Sequence, residues 1–259
     1  YSGYALALDG VGDAIELGGA PVSLANHDAW TIEAWVRPDS LVGAQAVYTE
    51  NVAIANGAGG MVLGLGLMDR QVVVGGWSDS SATQWTWSEA SLPADVVAGT
   101  WFHLAATRSG PTVTVFVNGS ALPSGSPSGP AWSSLASAVP STFYVGRAAN
   151  PGEASYFQGH IDDVRLWTVA RSANQVSIAR HQRLWGTEAG LVASMPVSGY
   201  PATSSDGHGT SILNQVTGSY TALLRGGVRF VPSGAEITLP PTPAQLSLAP
   251  ASDSGTKGD

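Results

Sequence analysis

The sequence lacks several residue types, and each absence excludes a class of function. It contains no cysteine, so zinc–thiolate sites, disulfides and cysteine nucleophiles are excluded. Lys257 is the only lysine and the formal net charge is −8, which leaves no basic patch for nucleic acid or an anionic membrane surface. No apolar run approaches the roughly 18–20 residues of a membrane-spanning helix. We therefore expect no nucleic-acid partner and no membrane insertion.

Charged residues are also scarce, at 12% of the chain, whereas glycine is abundant, with 32 residues. This composition favours short strands and tight turns over helices, which favour Ala, Leu, Glu and Lys. Runs with the alternating pattern of strands recur along the chain. The clearest are residues 4–8, 14–17, 30–36, 60–67, 71–74, 84–87, 101–107, 112–117, 142–146, 159–167, 191–197, 220–224 and 228–231. The pattern predicts an all-β fold, a two-sheet antiparallel β-sandwich.

One segment, residues 172–184, is predicted to form a short helix with Ser172 at its N-cap. Its apolar positions are Val176, Ile178, Ala179 and Leu184. The chain length fits a single domain, which we place at residues 1–239. From residue 240 to residue 259 the composition shifts to Pro, Ser and Ala, which predicts a linker or tail and indicates one module of a longer polypeptide.

Six motifs follow one another along most of the chain. They are residues 7–17 (Ala-Leu-Asp-Gly-Val-Gly-Asp-Ala-Ile-Glu-Leu), 31–38, 99–107, 113–119, 143–147 and 159–167 (Gly-His-Ile-Asp-Asp-Val-Arg-Leu-Trp). In this order they resemble the laminin-G-like, pentraxin-related jelly rolls of the concanavalin A-like superfamily. The resemblance implies two curved antiparallel sheets packed face to face. It also implies a tendency to bind Ca²⁺, and glycans or proteins outside cells.

Four acidic residues are candidate metal ligands: Asp9, Asp13, Asp162 and Asp163. The first two flank a glycine-containing turn that exposes backbone carbonyls, and Ca²⁺ takes six to eight oxygen ligands. The resemblance implies that the strands carrying the two pairs are neighbours, so that all four acids converge on one structural Ca²⁺. The alternative is that Asp9 and Asp13 cap a turn, while Asp162 or Asp163 pairs with Arg165 or with backbone donors.

Three tryptophans, Trp77, Trp85 and Trp87, lie close together in a stretch rich in Ser, Thr and Asp. If residues 84–87 form a strand, Trp85 and Trp87 point to the same face. Because exposed tryptophan rings stack on sugar rings, the cluster is a candidate glycan-binding site. The alternative is core packing, which we expect for Trp30, Trp35, Trp101 and Trp167.

Other polar positions have two interpretations each. Asn118-Gly119-Ser120 matches an N-glycosylation sequon, and Asn-Gly is also a strong hairpin signal. Glu33 and Arg165 lie in strand-like runs, where we expect a buried pair or hydrogen-bonded network rather than catalysis. The five histidines show no metal-ligand spacing such as His-x-x-x-His, so zinc is not expected.

The sequence shows no catalytic motif. It lacks the Glu-x-Asp-x-Glu trio of related β-glucanases, and the adjacent Asp162 and Asp163 would point to opposite faces of a regular strand. We therefore expect a noncatalytic, secreted or cell-surface recognition and adhesion module that binds a glycan or an extracellular protein, within a larger surface or matrix protein. One alternative is a self-associating structural module of an extracellular assembly or filament, which sparse charge favours. A second alternative is a polysaccharide hydrolase.

Overall fold

The computed structural model describes residues 3–18, 22–53, 59–77, 85–123, 128–129, 132, 142–150, 153–197, 211–213, 216 and 221–238. The predicted tail at residues 240–259 and the side chain of Trp77 lie outside this description. Strands account for most of the described chain, with one 3₁₀ turn at Leu24–Asn26 and one helix, α1, at Ala173–Ala179. The strands are β1 (Tyr4–Asp9), β2 (Ala14–Leu17), β3 (Ala29–Pro38), β4 (Ala44–Ala53), β5 (Gly59–Met68), β6 (Gln71–Trp77), β7 (Trp85–Ser91), β8 (Phe102–Ser109), β9 (Thr112–Val117), β10 (Ser120–Ala121), β11 (Thr142–Val145), β12 (Arg147–Asn150), β13 (Glu153–Tyr156), β14 (Gln158–Trp167), β15 (Leu191–Met195), β16 (Ser211–Leu213), β17 (Thr221–Arg225) and β18 (Arg229–Pro232).

Two antiparallel sheets form the sandwich. Sheet A has the order β10-β9-β8-β3-β14-β1-β18, and β15 pairs with the second half of β14 beyond the end of β1. Sheet B has the order β16-β17-β2-β11-β4-β5-β6-β7. The hairpin β12–β13 forms a separate two-stranded sheet that packs against β4 and β5. The predicted all-β jelly-roll sandwich is confirmed. No helix of the described residues is long and apolar enough to cross a membrane.

The alternation in β3 shows how the sequence builds two buried layers. Trp30, Ile32 and Val36 belong to the main core, together with residues of sheet B such as Leu63 and Leu65. Because side chains alternate along a strand, the odd-numbered residues of β3 point to the other face of sheet A. That face is covered by α1 and by later segments of the chain, which pack in three small apolar clusters. Their buried members are Trp35, Ala235 and Ile237; Ala105, Phe116 and Val176; and Trp167, Leu184 and Leu191.

The helix begins where predicted but ends earlier. Ser172 and Gln175 form a capping box, in which each side chain accepts a hydrogen bond from the other residue's backbone N–H. The prediction of a helix to residue 184 was wrong, because α1 ends at Ala179. Beyond it, the backbone of residues 181–183 pairs with Thr238: the Thr238 N–H donates to the His181 carbonyl at 2.6 Å. Tertiary pairing therefore replaces the last turn of the predicted helix.

Candidate functional site

Asp9 and Asp13 lie at the β1–β2 turn, and their carboxylates accept hydrogen bonds from backbone N–H groups. Asp9 Oδ1 accepts from Val11 at 2.8 Å and from Gly12 at 3.1 Å, while Asp13 Oδ2 accepts from the Asp9 N–H at 3.1 Å. Asp13 Oδ1 accepts from the N–H of Gly227, in the turn between β17 and β18. The backbone donors of Val11 and Gly12 hold the pKa of Asp9 below its usual value. This geometry matches the turn-capping alternative.

Asp162 and Asp163 lie in β14 where its pairing with β3 shifts register. Asp163 has a positive φ of 50°, and the irregularity spans Asp162 to Arg165. Asp162 Oδ2 accepts a hydrogen bond from Ser233 Oγ at 2.7 Å, and Asp163 Oδ2 pairs with the guanidinium of Arg165. Both carboxylates are buried. A positive charge already stands beside Asp163, which disfavours a cation at that position.

The four predicted metal ligands do not form one site. Asp9 lies opposite Gln158 in the β1–β14 register, whereas Asp162 lies opposite Trp35 in the β14–β3 register, farther along β14. Among the described residues, no group of three or more His, Cys, Asp or Glu side chains is arranged to hold a metal. These four residues therefore do not fit the shared Ca²⁺ site that was predicted for them.

Glu33 is the centre of a charged network buried on the α1 side of sheet A. Its carboxylate accepts hydrogen bonds from Arg171 at 2.6 Å and from Trp167 Nε1 at 2.8 Å. His103 Nε2 lies 3.4 Å and Arg165 3.9 Å from its oxygens. Burial raises the pKa of Glu33, but the close approach of His103 and the charges of Arg165 and Arg171 outweigh it and bring the pKa to about 2. The predicted buried network of Glu33 and Arg165 is confirmed.

This network attaches α1 to sheet A. Besides Asp163, the guanidinium of Arg165 donates to the carbonyl of Ala179 at 2.9 Å and to that of Gln182. Trp35 Nε1 donates to the carbonyl of Arg180 at 2.8 Å. Carbonyl groups at a helix C-terminus have no partner within the helix, and here sheet side chains provide one. The charged residues of the motif at 159–167 therefore have a structural role.

A second candidate site is an apolar groove on the outer face of sheet B. Its floor follows from the strand register: Thr49 of β4 lies opposite Gly64 of β5, Gly64 opposite Gly75 of β6, and Gly75 opposite Trp87 of β7. Two adjacent glycines leave the middle of this row without side chains. A Cβ atom at Gly75 would lie 2.7 Å from both the Thr86 carbonyl oxygen and Trp87 Cβ, so no larger residue fits there without a shift.

Tryptophans and the β12–β13 hairpin border this floor. Trp85 and Trp87 both line the groove, as do Ala148 of β12 and Ser155 of β13. The groove has a volume of about 330 Å³. Trp87 is 36% exposed. Its strand, β7, lies at the edge of sheet B, and two backbone hydrogen bonds join Trp87 to Ser128. The remaining lining is Ala44, Gln45, Ala46, Thr49, Met61, Gly64, Leu65, Gly66, Leu67, Met68, Val73 and Gly75.

The structure tests where the predicted tryptophans lie, but not whether they bind a glycan. Trp85 and Trp87 share one face of β7, as the alternation predicts, and that face is the groove. The side chain of Trp77 lies outside the described residues. Whether these tryptophans bind a glycan stays a prediction. Of those assigned to packing, Trp30 is fully buried in the main core.

Asn118 lies at the tip of the β9–β10 hairpin and is exposed. Its φ of 50° and the φ of 80° at Gly119 are those expected for an Asn-Gly hairpin turn. Its side-chain oxygen accepts a hydrogen bond from the His103 N–H at 2.9 Å. The hairpin is confirmed, while glycosylation of Asn118 stays a prediction.

The groove floor is the part of the site that the sequence analysis missed. A signal existed in the run Gly64-Leu65-Gly66-Leu67, in which leucines alternate with glycines. Both leucines belong to the main core, and both glycines line the groove. Such a run predicts a strand with a bare outer face, but the groove also requires a second glycine, Gly75, in register on the next strand.

Comparisons with known proteins place this fold among lectin-like sandwiches. A laminin G-type family model, described as concanavalin A-like lectin/glucanases superfamily, matches residues 9–177. A proposed carbohydrate-binding protein from Bacteroides ovatus is 20% identical, with a TM-score of 0.60, over 91% of this chain and 62% of that protein. The native heptameric SAP-like pentraxin from Limulus polyphemus is 14% identical, with a TM-score of 0.53, over 90% of this chain and 97% of that one. The chain thus spans less than two thirds of the Bacteroides protein. No curated protein matches the chain.

Proposed function

Because this chain belongs to the concanavalin A-like lectin/glucanases superfamily, we propose that it is a glycan-recognition module whose ligand binds in the sheet B groove. The observation that carries the proposal is that two tryptophans, Trp85 and Trp87, lie beside a floor of glycines on the same face of one sheet. Sugar rings have apolar faces that stack on aromatic rings, and a floor without side chains leaves room for a ring beside the indole.

The lining of the groove supports binding rather than catalysis. Glycoside hydrolysis uses two carboxyl groups on either side of the scissile bond. Among the described residues that line the groove there is no Asp, Glu, His or Cys. The acids discussed above lie instead in the β1–β2 turn and on the α1 side of sheet A, where other protein groups bind them. We therefore propose a noncatalytic module.

The setting of the module is part of the proposal. We place it outside the cell or at the cell surface, as one part of a larger surface or matrix protein, because glycan ligands are displayed there. The support is the lectin-like superfamily and the change to a Pro-, Ser- and Ala-rich composition after residue 239. The Bacteroides protein of similar fold is itself described as a proposed carbohydrate-binding protein.

A matched pair of tryptophan variants tests the proposal. Wild type, Trp87→Ala and Trp185→Ala are applied to a glycan array, and positive glycans are titrated by calorimetry. Trp185 is 63% exposed and lies in the segment that covers sheet A, so it controls for the loss of an exposed indole away from the groove. Because central tryptophans are often dominant in binding, we expect Trp87→Ala to weaken binding about tenfold or more and Trp185→Ala to leave it within about twofold.

Two results contradict the proposal. One is a glycan whose affinity is unaffected by Trp87→Ala, which would place its site elsewhere. The other is an array without positive glycans combined with binding of dodecyl maltoside but not of maltose, which would make the groove a site for alkyl chains. Thermal unfolding of each variant shows whether the fold is retained.

A further inference from the structure

Two polar side chains that line the groove, those of Gln45 and Thr49, already form hydrogen bonds within the protein. Gln45 donates from Nε2 to the Ser40 carbonyl at 2.7 Å and accepts at Oε1 from the Gln158 N–H at 3.1 Å. Thr49 donates to the Arg147 carbonyl at 2.8 Å. The same hydroxyl accepts a hydrogen bond from the side-chain amide of Asn51 at 3.0 Å.

The remaining lining is apolar or made of glycine, apart from Ser155 of the β12–β13 hairpin, and the described part of it carries no charged side chain. Met61, Leu67, Met68 and Val73 supply aliphatic or thioether surface beside the two tryptophans. A hydroxyl group buried against this aliphatic and thioether surface loses its hydrogen bonds to water and gains none from those side chains, and a charged group loses more. A ligand that presents apolar atoms and no charge to this part of the groove therefore loses least on binding.

From this surface, and resting on the proposed function for the same groove, we propose that the groove selects an uncharged sugar that carries a methyl group. Such a methyl belongs to a 6-deoxyhexose or to the acetyl group of an acetylated sugar. The ring face stacks on the indole of Trp87, and the methyl group packs among the apolar side chains beside it. The volume of about 330 Å³ lies at the lower end for ligand sites, which suits one or two sugar units.

Sugar pairs that differ at one methyl group test this selectivity. L-Fucose and L-galactose differ only in whether C6 is a methyl or a hydroxymethyl group, and N-acetyl- and N-formylglucosamine differ by the acetyl methyl. Each is titrated as its methyl glycoside. We expect L-fucose to bind about tenfold more tightly than L-galactose, because the additional hydroxyl stays unpaired. If the acetyl group is the source of the methyl, N-acetylglucosamine binds about fourfold more tightly than its formyl analogue.

A pair of isosteric variants tests the selectivity itself, because the ratio of two affinities does not depend on a general change in protein stability. Val73→Thr keeps the shape of a lining residue but adds a hydroxyl group to the groove. Val42→Thr makes the same change at a position that is 75% exposed and lies outside the lining. We expect Val73→Thr to reduce the preference for the methyl-bearing sugar and Val42→Thr to preserve it.

The outcomes separate this inference from the proposed function. If the hydroxyl-bearing partner binds as well as the methyl-bearing one, and Trp87→Ala weakens both, the methyl inference is wrong and the glycan groove stands. If a sialylated or sulfated glycan binds more tightly and Trp87→Ala weakens that binding, the methyl inference is likewise wrong and the glycan groove stands. If no sugar binds, or if Trp87→Ala leaves sugar binding unchanged, both the inference and the proposed function are wrong.

Discussion

Replacement of Glu33 by glutamine tests the buried network that joins α1 to sheet A. Gln keeps the size of the side chain but removes the negative charge that faces Arg165 and Arg171. Loss of one partner leaves two buried or nearly buried guanidinium groups with less compensation, and such changes are strongly destabilising. We therefore expect a large loss of stability at neutral pH, although the substitution is conservative in shape.

The magnitude follows from the pKa. Folding lowers the pKa of Glu33 from 4.5 to about 2, and each pKa unit corresponds to about 1.4 kcal/mol, so the ionised carboxylate contributes about 3 kcal/mol at pH 7. Because the folded pKa is the lower one, this contribution is complete above pH 4.5 and is lost as the pH falls towards 2. It should have fallen to about half by pH 3. For a chain of this length, 3 kcal/mol corresponds to a decrease in Tm of roughly 6–12 °C.

Urea unfolding of wild type and Glu33→Gln, measured from pH 7 to pH 3, provides the assay. The difference between the two proteins at each pH cancels groups that they share, including Glu50, whose pKa burial raises. Glu16→Gln is the control, because Glu16 makes an exposed ion pair with Arg225 and should cost at most about 1 kcal/mol. A Glu33→Gln effect below about 1 kcal/mol at pH 7, or one that does not shrink on acidification, would refute the reasoning.

Three further predictions concern the helix cap, the groove floor and the metal. Ser172→Ala should cost about 1 kcal/mol in urea unfolding, and Ser172→Asp should restore most of it, because aspartate also caps helices. Gly75→Ala should destabilise by about 1–3 kcal/mol and weaken ligand binding, since its Cβ would contact Thr86 and Trp87, whereas at Gly12 a Cβ contacts nothing within 4 Å and Gly12→Ala should change little. Because protein groups already bind the four predicted metal ligands, excess EDTA should leave the Tm unchanged.

Each of these has a clear contrary result. Equal stabilities of wild type and Ser172→Ala would show that the capping box contributes nothing. A Gly75→Ala variant as stable and as active in binding as Gly12→Ala would show that the floor tolerates side chains. A Tm that rises by several degrees with Ca²⁺ and returns with EDTA would establish a calcium site that the described residues do not form.

The sequence predicts the sandwich well where local pattern and tertiary position agree. Residues 30–36 alternate between the main core and the α1 side of sheet A, as their pattern indicates. Asn118-Gly119 turns the chain at the predicted hairpin. Strand β4 and the β12–β13 hairpin were not among the predicted runs. In the structure β4 lies between β5 and β11, and the hairpin packs against β4 and β5.

The errors lie where distant residues decide the structure. The helix ends at Ala179 because side chains of β3 and β14 and the backbone of Thr238 bind the polar groups that follow. The predicted metal ligands do not converge, since an irregularity in β14 directs Asp163 to Arg165. The floor of the groove depends on the register of Gly64 with Gly75, which no single strand specifies.

The central claim is that a glycan binds on the glycine floor beside the tryptophans of β7. The most direct measurement is an NMR titration of the ¹⁵N-labelled protein with the tightest-binding array glycan, observed at the indole N–H groups and assigned with single Trp→Phe variants. The account predicts saturable shifts at Trp85 and Trp87, with no shift at Trp185 on the segment over sheet A or at the buried Trp30. Saturable shifts at Trp185, with Trp85 and Trp87 unchanged, would contradict it.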